Sequence, residues 1–317
     1  MGITARDVHI DMPLTNLVLG FEPTGFIVQD IFPVVNVPKQ SDLYYKYDKG
    51  DFFRIPSTTI RAPKTKGRTV SFNVSSDTYY ANNYALVDEL TYETLANADT
   101  PLKLKEKSAR FVTNLLHLDW ENRVANQITS GSNLGSYAAV SSKWSDGTAG
   151  NSDPFGDIQT AKESVRATTG LNANTIVMGK QVYNSLIKHA DILDRIKYVQ
   201  RGVVTRDLLA SLFDVDTVLI GNAIKNTSEE GQSDSFSDIW GTNCIVAHLT
   251  DGANADGRDP SLGYAFRWTN PMFGTPMVAE SWEDPDHSMF TNVRVSVYQD
   301  EKIAAPELGY LWTGCVD

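Results

Sequence analysis

The sequence predicts an α+β protein, and three observations support this class. Apolar residues recur at helical spacing from about residue 100 to 130, which predicts one long helix. Helical patterns then alternate with short apolar strands between about 155 and 280, which indicates an α/β unit. Ahead of both, Val70, Phe72 and Val74 alternate with polar residues as one face of a strand does. We therefore expect an extended hairpin, a long helix and an α/β unit, in that order.

Length and composition set limits on the class of protein. The chain has 317 residues, which suggests two domains of roughly 150 residues each. Hydrophobic residues make up 41% and charged residues 21%, so the chain is predicted to be neither disordered nor fibrous. Its net charge of −11 argues against tight binding of nucleic acid over a broad surface, because phosphates require concentrated Lys and Arg. Loose enclosure of DNA stays open.

Compartment signals are few. Cys244 and Cys315 do not form a Cys-x-x-Cys pair, so neither a disulfide framework nor a structural zinc site is predicted, and a reducing compartment is expected. The first residues lack the basic and apolar regions of a signal peptide. No run approaches the roughly 18 to 20 apolar residues that span a bilayer. We therefore expect synthesis in the cytoplasm and no contact with a membrane.

Residues 1–40 do not read as an independent unit. Pro33 and Pro38 interrupt an apolar stretch and prevent a continuous helix or a central strand. We expect an extended arm that lies on another surface, and the alternative is an edge strand of the core. The residues predicted to pack are Ile31, Phe32, Val34, Val35 and Val37.

Positive charge is concentrated in the next segment, although the chain as a whole is acidic. Only Asp48 and Asp51 oppose it between Tyr44 and Arg68. An isolated hairpin is marginally stable in water, so the strand over Val70 to Val74 needs a partner. The basic residues are Lys46, Lys49, Arg54, Arg61, Lys64, Lys66 and Arg68.

The long helix is the strongest secondary-structure prediction. Asp99 or Thr100 is a candidate N-cap, and Pro101 suits the first turn. The residues at helical spacing on the expected face are Leu104, Ser108, Phe111, Leu115, Leu118, Asn122 and Ala125, with Val112, Leu116 and Trp120 beside them. About 30 residues at 1.5 Å each predict a rod of roughly 45 Å. Such a helix would run along an elongated molecule.

The α/β segment has clear local signals. Asp153 and Pro154 predict the start of a helix that ends at Gly170, and Thr205 is a candidate cap for a second helix. Short apolar runs such as NTIVMG and CIVAHL predict buried strands. The closing strands, 292–299 and about 310–312, are expected to return to the part that holds the long helix.

Catalytic and metal-binding patterns are weak. None of the five histidines has a partner at the spacing of a helical metal site. Cys244 and His248 share one side of a predicted strand, which is more typical of two partly buried residues than of a ligand pair. Phosphate-binding and nucleophile motifs are absent from the sequence. We predict that the protein is not an enzyme and needs no cofactor.

In the order of its parts, the chain resembles the major capsid proteins of tailed bacteriophages with the Hong Kong 97-type fold. The resemblance covers nearly the whole chain and rests on FPVVNVPK, SSDTYYANNYALVDE and NTIVMGKQVYNSL. It implies an N-terminal arm over 1–40, an E-loop (an extended β-hairpin) over 41–85 and a P-domain over 86–150 with its spine helix at about 100–130. It further implies an α/β A-domain over 151–285 and return strands of the P-domain over 286–317.

The resemblance implies a structural protein of the virion. Its copies would form hexamers and pentamers of an icosahedral shell around double-stranded DNA, with a portal, a separate scaffold or none, and a decoration protein as further partners. The E-loop would cross a neighbouring subunit and meet acidic residues there, and no covalent crosslink through its lysines is expected. Candidate acidic partners are Glu280, Glu283, Asp284 and Asp286.

Two other functions stay open at this point. An encapsulin-like compartment shares the fold but encloses cargo enzymes instead of DNA. A stand-alone α/β enzyme that uses residues 155–280 would be a monomer with hydrolase activity.

Overall fold

In the computed structural model of the protein, the described residues are 9–10, 12–19, 25–47, 49–97, 103–146, 150–196, 204–250, 260–269, 274–283 and 290–317. The helices are α1 (Met12–Leu19), α2 (Val28–Ile31), α3 (Lys49–Phe52), α4 (Tyr92–Ala96), α5 (Leu104–Ile128), α6 (Pro154–Thr169), α7 (Lys180–Leu186), α8 (Ala190–Ile196) and α9 (Arg206–Phe213).

The strands are β1 (His9–Ile10), β2 (Val34–Val37), β3 (Ser41–Tyr47), β4 (Val74–Tyr80), β5 (Asn82–Thr91), β6 (Ser136–Ala139), β7 (Thr175–Gly179), β8 (Thr217–Gly221), β9 (Ile224–Asn226), β10 (Phe236–Asp238), β11 (Cys244–Ala247), β12 (Gly263–Trp268), β13 (Met277–Glu283), β14 (Phe290–Ile303) and β15 (Gly309–Thr313). A short 3-10 turn, Pro306–Leu308, precedes β15.

A six-stranded sheet supports the long helix. Its order is β1-β13-β14-β12-β2, and β5 pairs with β14 along ten residues. Val293 and Val295 of β14 pack against Val112 and Leu116 of α5 in one buried cluster. The 14-residue strand β14 therefore organises this half of the molecule, since β5, β12 and β13 all pair with it.

A five-stranded sheet with helices forms the predicted α/β unit, in the order β6-β15-β11-β7-β8. Asp153 caps α6, because its Oδ1 accepts a hydrogen bond from the Gly156 N–H at 2.9 Å. Gly170 ends the same helix at φ 75°, a left-handed conformation that favours glycine. Thr205 caps α9. These local predictions are confirmed.

The placement of three later strands corrects the sequence-based expectation. β15 lies in the five-stranded sheet, between β6 and β11, and does not return to the sheet under the long helix. Conversely, β12 and β13 belong to the six-stranded sheet, although they fall within the segment predicted as α/β. A short apolar run indicates a buried strand, but tertiary packing decides which sheet it joins.

The long helix is confirmed over 25 residues, Leu104–Ile128, a length of about 38 Å. Residues 99–101, the predicted start, lie outside the described residues. The predicted face is confirmed in part, because Phe111 is 56% exposed and Leu118 only half-buried, whereas five of its residues are buried: Ser108, Val112, Leu116, Trp120 and Ala125. The helix is covered on more than one side: Val112 faces the six-stranded sheet, while Val124 packs in the core that also contains residues of the other sheet. A single-stripe pattern does not describe such a helix.

The N-terminal segment packs on its own chain. Ile31 and Phe32 are fully buried beside Trp120 of α5, and β2 pairs in parallel with β12 as an edge strand. The expected extended arm does not describe residues 28–37, which form helix α2 and strand β2, and for β2 the edge-strand alternative is what the structure shows. The reason is the parallel pairing with β12, a partner some 230 residues away that no local pattern reveals.

The predicted strand around Val70 is also corrected. β3 pairs with β4 from Ser41 opposite Tyr80 to Tyr47 opposite Val74, so Val74 begins the strand. Val70 and Phe72 lie before it, outside any strand, and are 72% and 57% exposed. Alternation alone does not create a strand when the facing segment of the same chain is not paired with it.

His117 is a buried residue of α5 that faces the N-terminal segment. Its ring stacks on Phe26 with centroids 6.3 Å apart and lies 5.9 Å from the ring of Trp120. Burial, together with the positive charge of Arg267, lowers the pKa of His117 to about 4. The folded protein therefore keeps this imidazole neutral at pH values where the unfolded chain protonates it.

Replacement of His117 is expected to alter the pH dependence of stability. A lowered histidine pKa contributes stability that is present above the unfolded value of about 6.5 and is lost as the pH falls towards the folded value of about 4. The loss from this residue between pH 7 and pH 4 is about 3 kcal/mol. Urea unfolding at both pH values should show a smaller acid loss for His117→Phe than for the wild type. Equal losses would contradict the buried neutral imidazole.

Candidate subunit-contact site

The hairpin of β3 and β4 is fixed at its base. Tyr79 stacks on Phe266 with ring centroids 4.8 Å apart and donates its hydroxyl to the Lys39 carbonyl at 3.1 Å. The Tyr80 N–H donates to Asp300 Oδ2 at 2.8 Å. These contacts tie the hairpin to the six-stranded sheet, so its direction is set by the folded core.

Within the hairpin, Lys46 is already paired. Its Nζ lies 2.7 Å from Asp77 Oδ2 on the facing strand, and the Tyr44 hydroxyl donates to the same oxygen at 3.2 Å. The hydrogen bond from Lys46 lowers the pKa of Asp77 below its ordinary value. Lys46 is thus engaged within its own chain.

Residues 49–73, here called the basic loop, connect the two strands. The Asn73 N–H donates to Asp51 Oδ2 at 2.9 Å, which brings the two ends of the loop together. Near the middle, the Thr65 N–H bonds to the Ala62 carbonyl at 3.2 Å, and Lys64 has a left-handed φ of 68°. The segment between is otherwise without helix or strand after α3.

Most basic side chains of the loop are exposed. Arg54 lies 3.8 Å from Asp51, and Arg68 donates to the Ser57 hydroxyl at 2.5 Å. Arg61, Lys64 and Lys66 have no carboxylate of the described chain within ion-pair distance. Of the seven predicted basic residues, only Lys49 has a side chain outside the described part. The loop therefore presents positive charge to its surroundings.

Large apolar side chains are exposed along the same loop. Several large apolar side chains exposed on one segment are typical of an interaction surface. Sequence reasoning identified Val70, Phe72 and Val74 but missed three others, which interrupt polar and proline-rich stretches without any period. The six residues, five in the loop and Val74 at the start of β4, are Phe53 (63% exposed), Ile55 (90%), Ile60 (90%), Val70 (72%), Phe72 (57%) and Val74 (45%).

The four expected acidic partners differ in whether the structure leaves them available for a neighbouring subunit. Glu280 is 6% exposed, and its Oε2 accepts a hydrogen bond from Arg294 Nε at 2.5 Å, so it is occupied within its own chain. Glu283 is exposed at the end of β13. Asp284 and Asp286 lie outside the described residues. The structure therefore leaves Glu283 as the available candidate of the two it describes.

The described residues contain no group of three or more His, Cys, Asp or Glu side chains arranged to hold a metal ion. Cys244 and Cys315 are buried free thiols, and burial raises the pKa of both. No helix in the described ranges combines the length and apolarity needed to cross a bilayer. The distinctive surface feature is thus the basic, apolar loop.

Comparison with known proteins identifies the family. A family model described as phage major capsid protein E matches residues 132–250. The major capsid protein of Burkholderia phage BcepMu is 30% identical over 291 residues, covering 90% of this chain and 90% of that protein. The chain belongs to the phage major capsid protein family. This capsid protein is therefore a structural component of the virion, and its copies associate into capsid shells.

Solved structures agree with the fold. A phage-related protein of Bordetella bronchiseptica RB50 superposes with a TM-score of 0.75 at 21% identity, covering 97% of this chain and 98% of that chain. The capsid of cyanophage P-SCSP1u superposes with a TM-score of 0.57 at 11% identity, covering 98% and 92%. The capsid protein has the Hong Kong 97-type fold, as its sequence predicted.

Proposed function

We propose that the capsid protein forms hexamers and pentamers of an icosahedral shell that encloses double-stranded DNA, and that the basic loop of each copy lies across a neighbouring copy. The observation that carries this proposal is the loop itself, whose large apolar side chains are exposed and whose Arg61, Lys64 and Lys66 have no ion-pair partner among the described residues. Both features are explained if a second copy covers the loop.

Burial of the apolar side chains of the loop would contribute to the free energy of subunit association. Fully burying one large aliphatic or aromatic side chain contributes about 1.5–3 kcal/mol, and six are exposed here. Losses of translational and side-chain freedom offset much of this for any single pair of subunits. In a closed symmetric shell each subunit both gives and receives the contact, so a modest term repeats around every capsomer.

Charge should then control how readily subunits associate. The basic loop would meet acidic surface on the neighbour, and such pairs raise association rates more than final affinity. We further propose that the protein is made in the host cytoplasm and encloses DNA without sequence-specific binding. Its further partners would be a portal, a separate scaffold and a decoration protein. The acidic chain suits this arrangement, because its net charge of −11 opposes tight binding of DNA.

Assembly is expected to slow as salt rises. Screening shortens the range of charge interactions to about 8 Å near physiological ionic strength and further above it. Light scattering should show assembly at least about tenfold slower in about 0.5 M than in about 0.05 M sodium chloride. Indifference to salt would indicate that apolar burial alone drives association.

The proposed function is tested by imaging and by analysis of particle content. The purified full chain should form closed icosahedral particles in negative-stain electron micrographs, and particles taken from lysed host cells should hold DNA of genome length. A protein cargo in place of DNA would favour an encapsulin-like compartment. A monomer in analytical ultracentrifugation under all conditions would contradict the shell.

A further inference from the structure

A second exposed feature lies on the α/β side of the molecule. Strands β9 and β10 form an isolated antiparallel pair, with Ile224 opposite Asp238 and Phe236 opposite Asn226. Residues 224–238 are here called the acidic hairpin. It leaves the core between Ala223 and Ile239, which are buried and joined by a backbone hydrogen bond of 3.0 Å.

One face of the acidic hairpin carries exposed apolar side chains. Directly opposed residues of an antiparallel pair share a face, as do residues two apart on one strand. Ile224 and Phe236 therefore lie on one face, and they are 50% and 64% exposed. Lys225 lies on the other face, where its Nζ donates to Asn122 of α5 at 3.0 Å. The apolar side chains of the first face are thus exposed, although Asp238 at its base accepts a hydrogen bond from Gln181 of α7 at 2.8 Å, and the other face contacts the long helix.

The tip of the acidic hairpin is ordered by its own hydrogen bonds. Asn226 Oδ1 accepts from the N–H groups of Ser228 and Ser235 at 3.0 and 3.1 Å, and its Nδ2 donates to Asp234 at 2.8 Å. The Ser228 hydroxyl donates to the Ser233 carbonyl at 2.7 Å. A surface held in this way loses little conformational freedom when it binds a partner.

The charge of the acidic hairpin is opposite to that of the basic loop. Residues 224–238 contain four carboxylates, Glu229, Glu230, Asp234 and Asp238, and one cation, Lys225. No cation of the described chain forms an ion pair with Glu229, Glu230 or Asp234. The basic loop carries six cations and one carboxylate over residues 49–73. Each segment thus combines exposed apolar side chains with charge that the other would neutralise.

We propose that the face of the acidic hairpin that carries Ile224 and Phe236 is the surface on which the basic loop of a neighbouring copy docks. The inference rests on the proposed function and assigns the receiving surface within it. Ile224 and Phe236 contact apolar side chains of the loop, and the tip carboxylates pair with Arg61, Lys64 and Lys66. The occupant is a second copy of this chain, since the loop supplies the positive charge that the hairpin carboxylates need and apolar side chains that Ile224 and Phe236 can contact.

A charge exchange between the two segments tests the docking. The loop variant is R61E/K64E/K66E, and the hairpin variant is E229K/E230K/D234K. Each alone should lower the yield of particles, measured by sedimentation of the full chain, by at least about tenfold, because like charges then face each other. The two sets combined in one chain should restore the yield to within about threefold of the wild type, since opposite charges meet again.

Two further variants make every outcome decisive. Glu283→Lys, at the competing acidic position, should leave the yield unchanged, whereas I224S/F236S should lower it with the unfolding midpoint unaltered. Normal assembly of the hairpin variant beside failure of the loop variant would overturn the docking and leave the proposed function standing. Failure of the combined variant to recover would overturn it as well. Normal assembly of the loop variant would instead contradict the proposed function of the loop.

Discussion

Replacing residues 54–71 with a short Gly-Ser linker is expected to leave a folded subunit that no longer forms shells. The replaced segment has no helix or strand, and most of its large side chains are exposed, so the core loses little. The hydrogen bond between Asp51 and Asn73 shows that the two ends of the loop are close enough for a short linker. What is removed is the part of the chain proposed to bind a neighbour.

The expected effect on association is large because every contact in the shell repeats the loss. Removing even about 1.4 kcal/mol from each contact weakens each one tenfold. Sedimentation velocity and electron microscopy should show soluble subunits or small oligomers in place of particles. The matched control is I55S/I60S/V70S/F72S, which keeps the length and charge of the loop and should also fail to assemble. Intact particles from either variant would contradict the role of the loop.

Glu121→Ala is expected to lower the free energy of unfolding by about 3–5 kcal/mol. The carboxylate of Glu121 is fully buried on α5 and holds three parts of the chain together. Its Oε2 accepts from the N–H groups of Ile27 and Val28 at 3.1 and 2.9 Å, and its Oε1 accepts from the Trp240 indole at 2.6 Å. Alanine would leave three buried donors without an acceptor and a cavity beside them.

Glu121→Gln serves as the control, because the amide retains one acceptor oxygen and nearly the same volume. In urea unfolding, the Gln variant should lose clearly less free energy of unfolding than the alanine variant. Burial raises the pKa of Glu121. The hydrogen bonds from Trp240, Ile27 and Val28 act in the opposite direction and offset only part of this rise. A raised carboxyl pKa contributes stability that is present below the unfolded value and is lost as the pH rises through the folded value. The Gln variant should lack this pH dependence, and equal stability of both variants and the wild type would contradict the role of Glu121.

Local chemistry made much of the fold predictable from sequence. Helix α6 begins at Asp153 and ends at Gly170 because an N-cap carboxylate and a left-handed glycine each act within a few residues. The order of the parts indicated the Hong Kong 97-type capsid fold, which comparison with solved structures supports. Signals of this kind depend on near neighbours, so one sequence is sufficient to reveal them.

Long-range pairing could not be predicted in the same way. β15 lies in the five-stranded sheet, and β2 is an edge strand on β12. Neither position could be predicted, because strand partners far apart in sequence leave no local pattern. The long helix was found, yet its buried face was predicted only in part, since Glu121 and His117 are buried there beside apolar residues. A buried carboxylate is recognisable only once its three donors are seen around it.

The candidate site was predicted in part for a similar reason. The positive charge of the loop is evident from composition, but the exposure of Ile55 and Ile60 is not, because no periodicity marks them. Glu280 looked available as an acidic partner until the structure placed Arg294 beside it. The acidic hairpin was overlooked because its apolar face depends on the register of β9 and β10.

The most direct test is a cryo-electron microscopy map of the assembled particle in which residues 49–73 can be traced. The account predicts that the loop of each subunit lies on an adjacent subunit, with Ile55, Ile60, Val70 and Phe72 covered by that neighbour. A loop folded back on its own subunit, or exposed to solvent in the closed shell, would contradict the central claim.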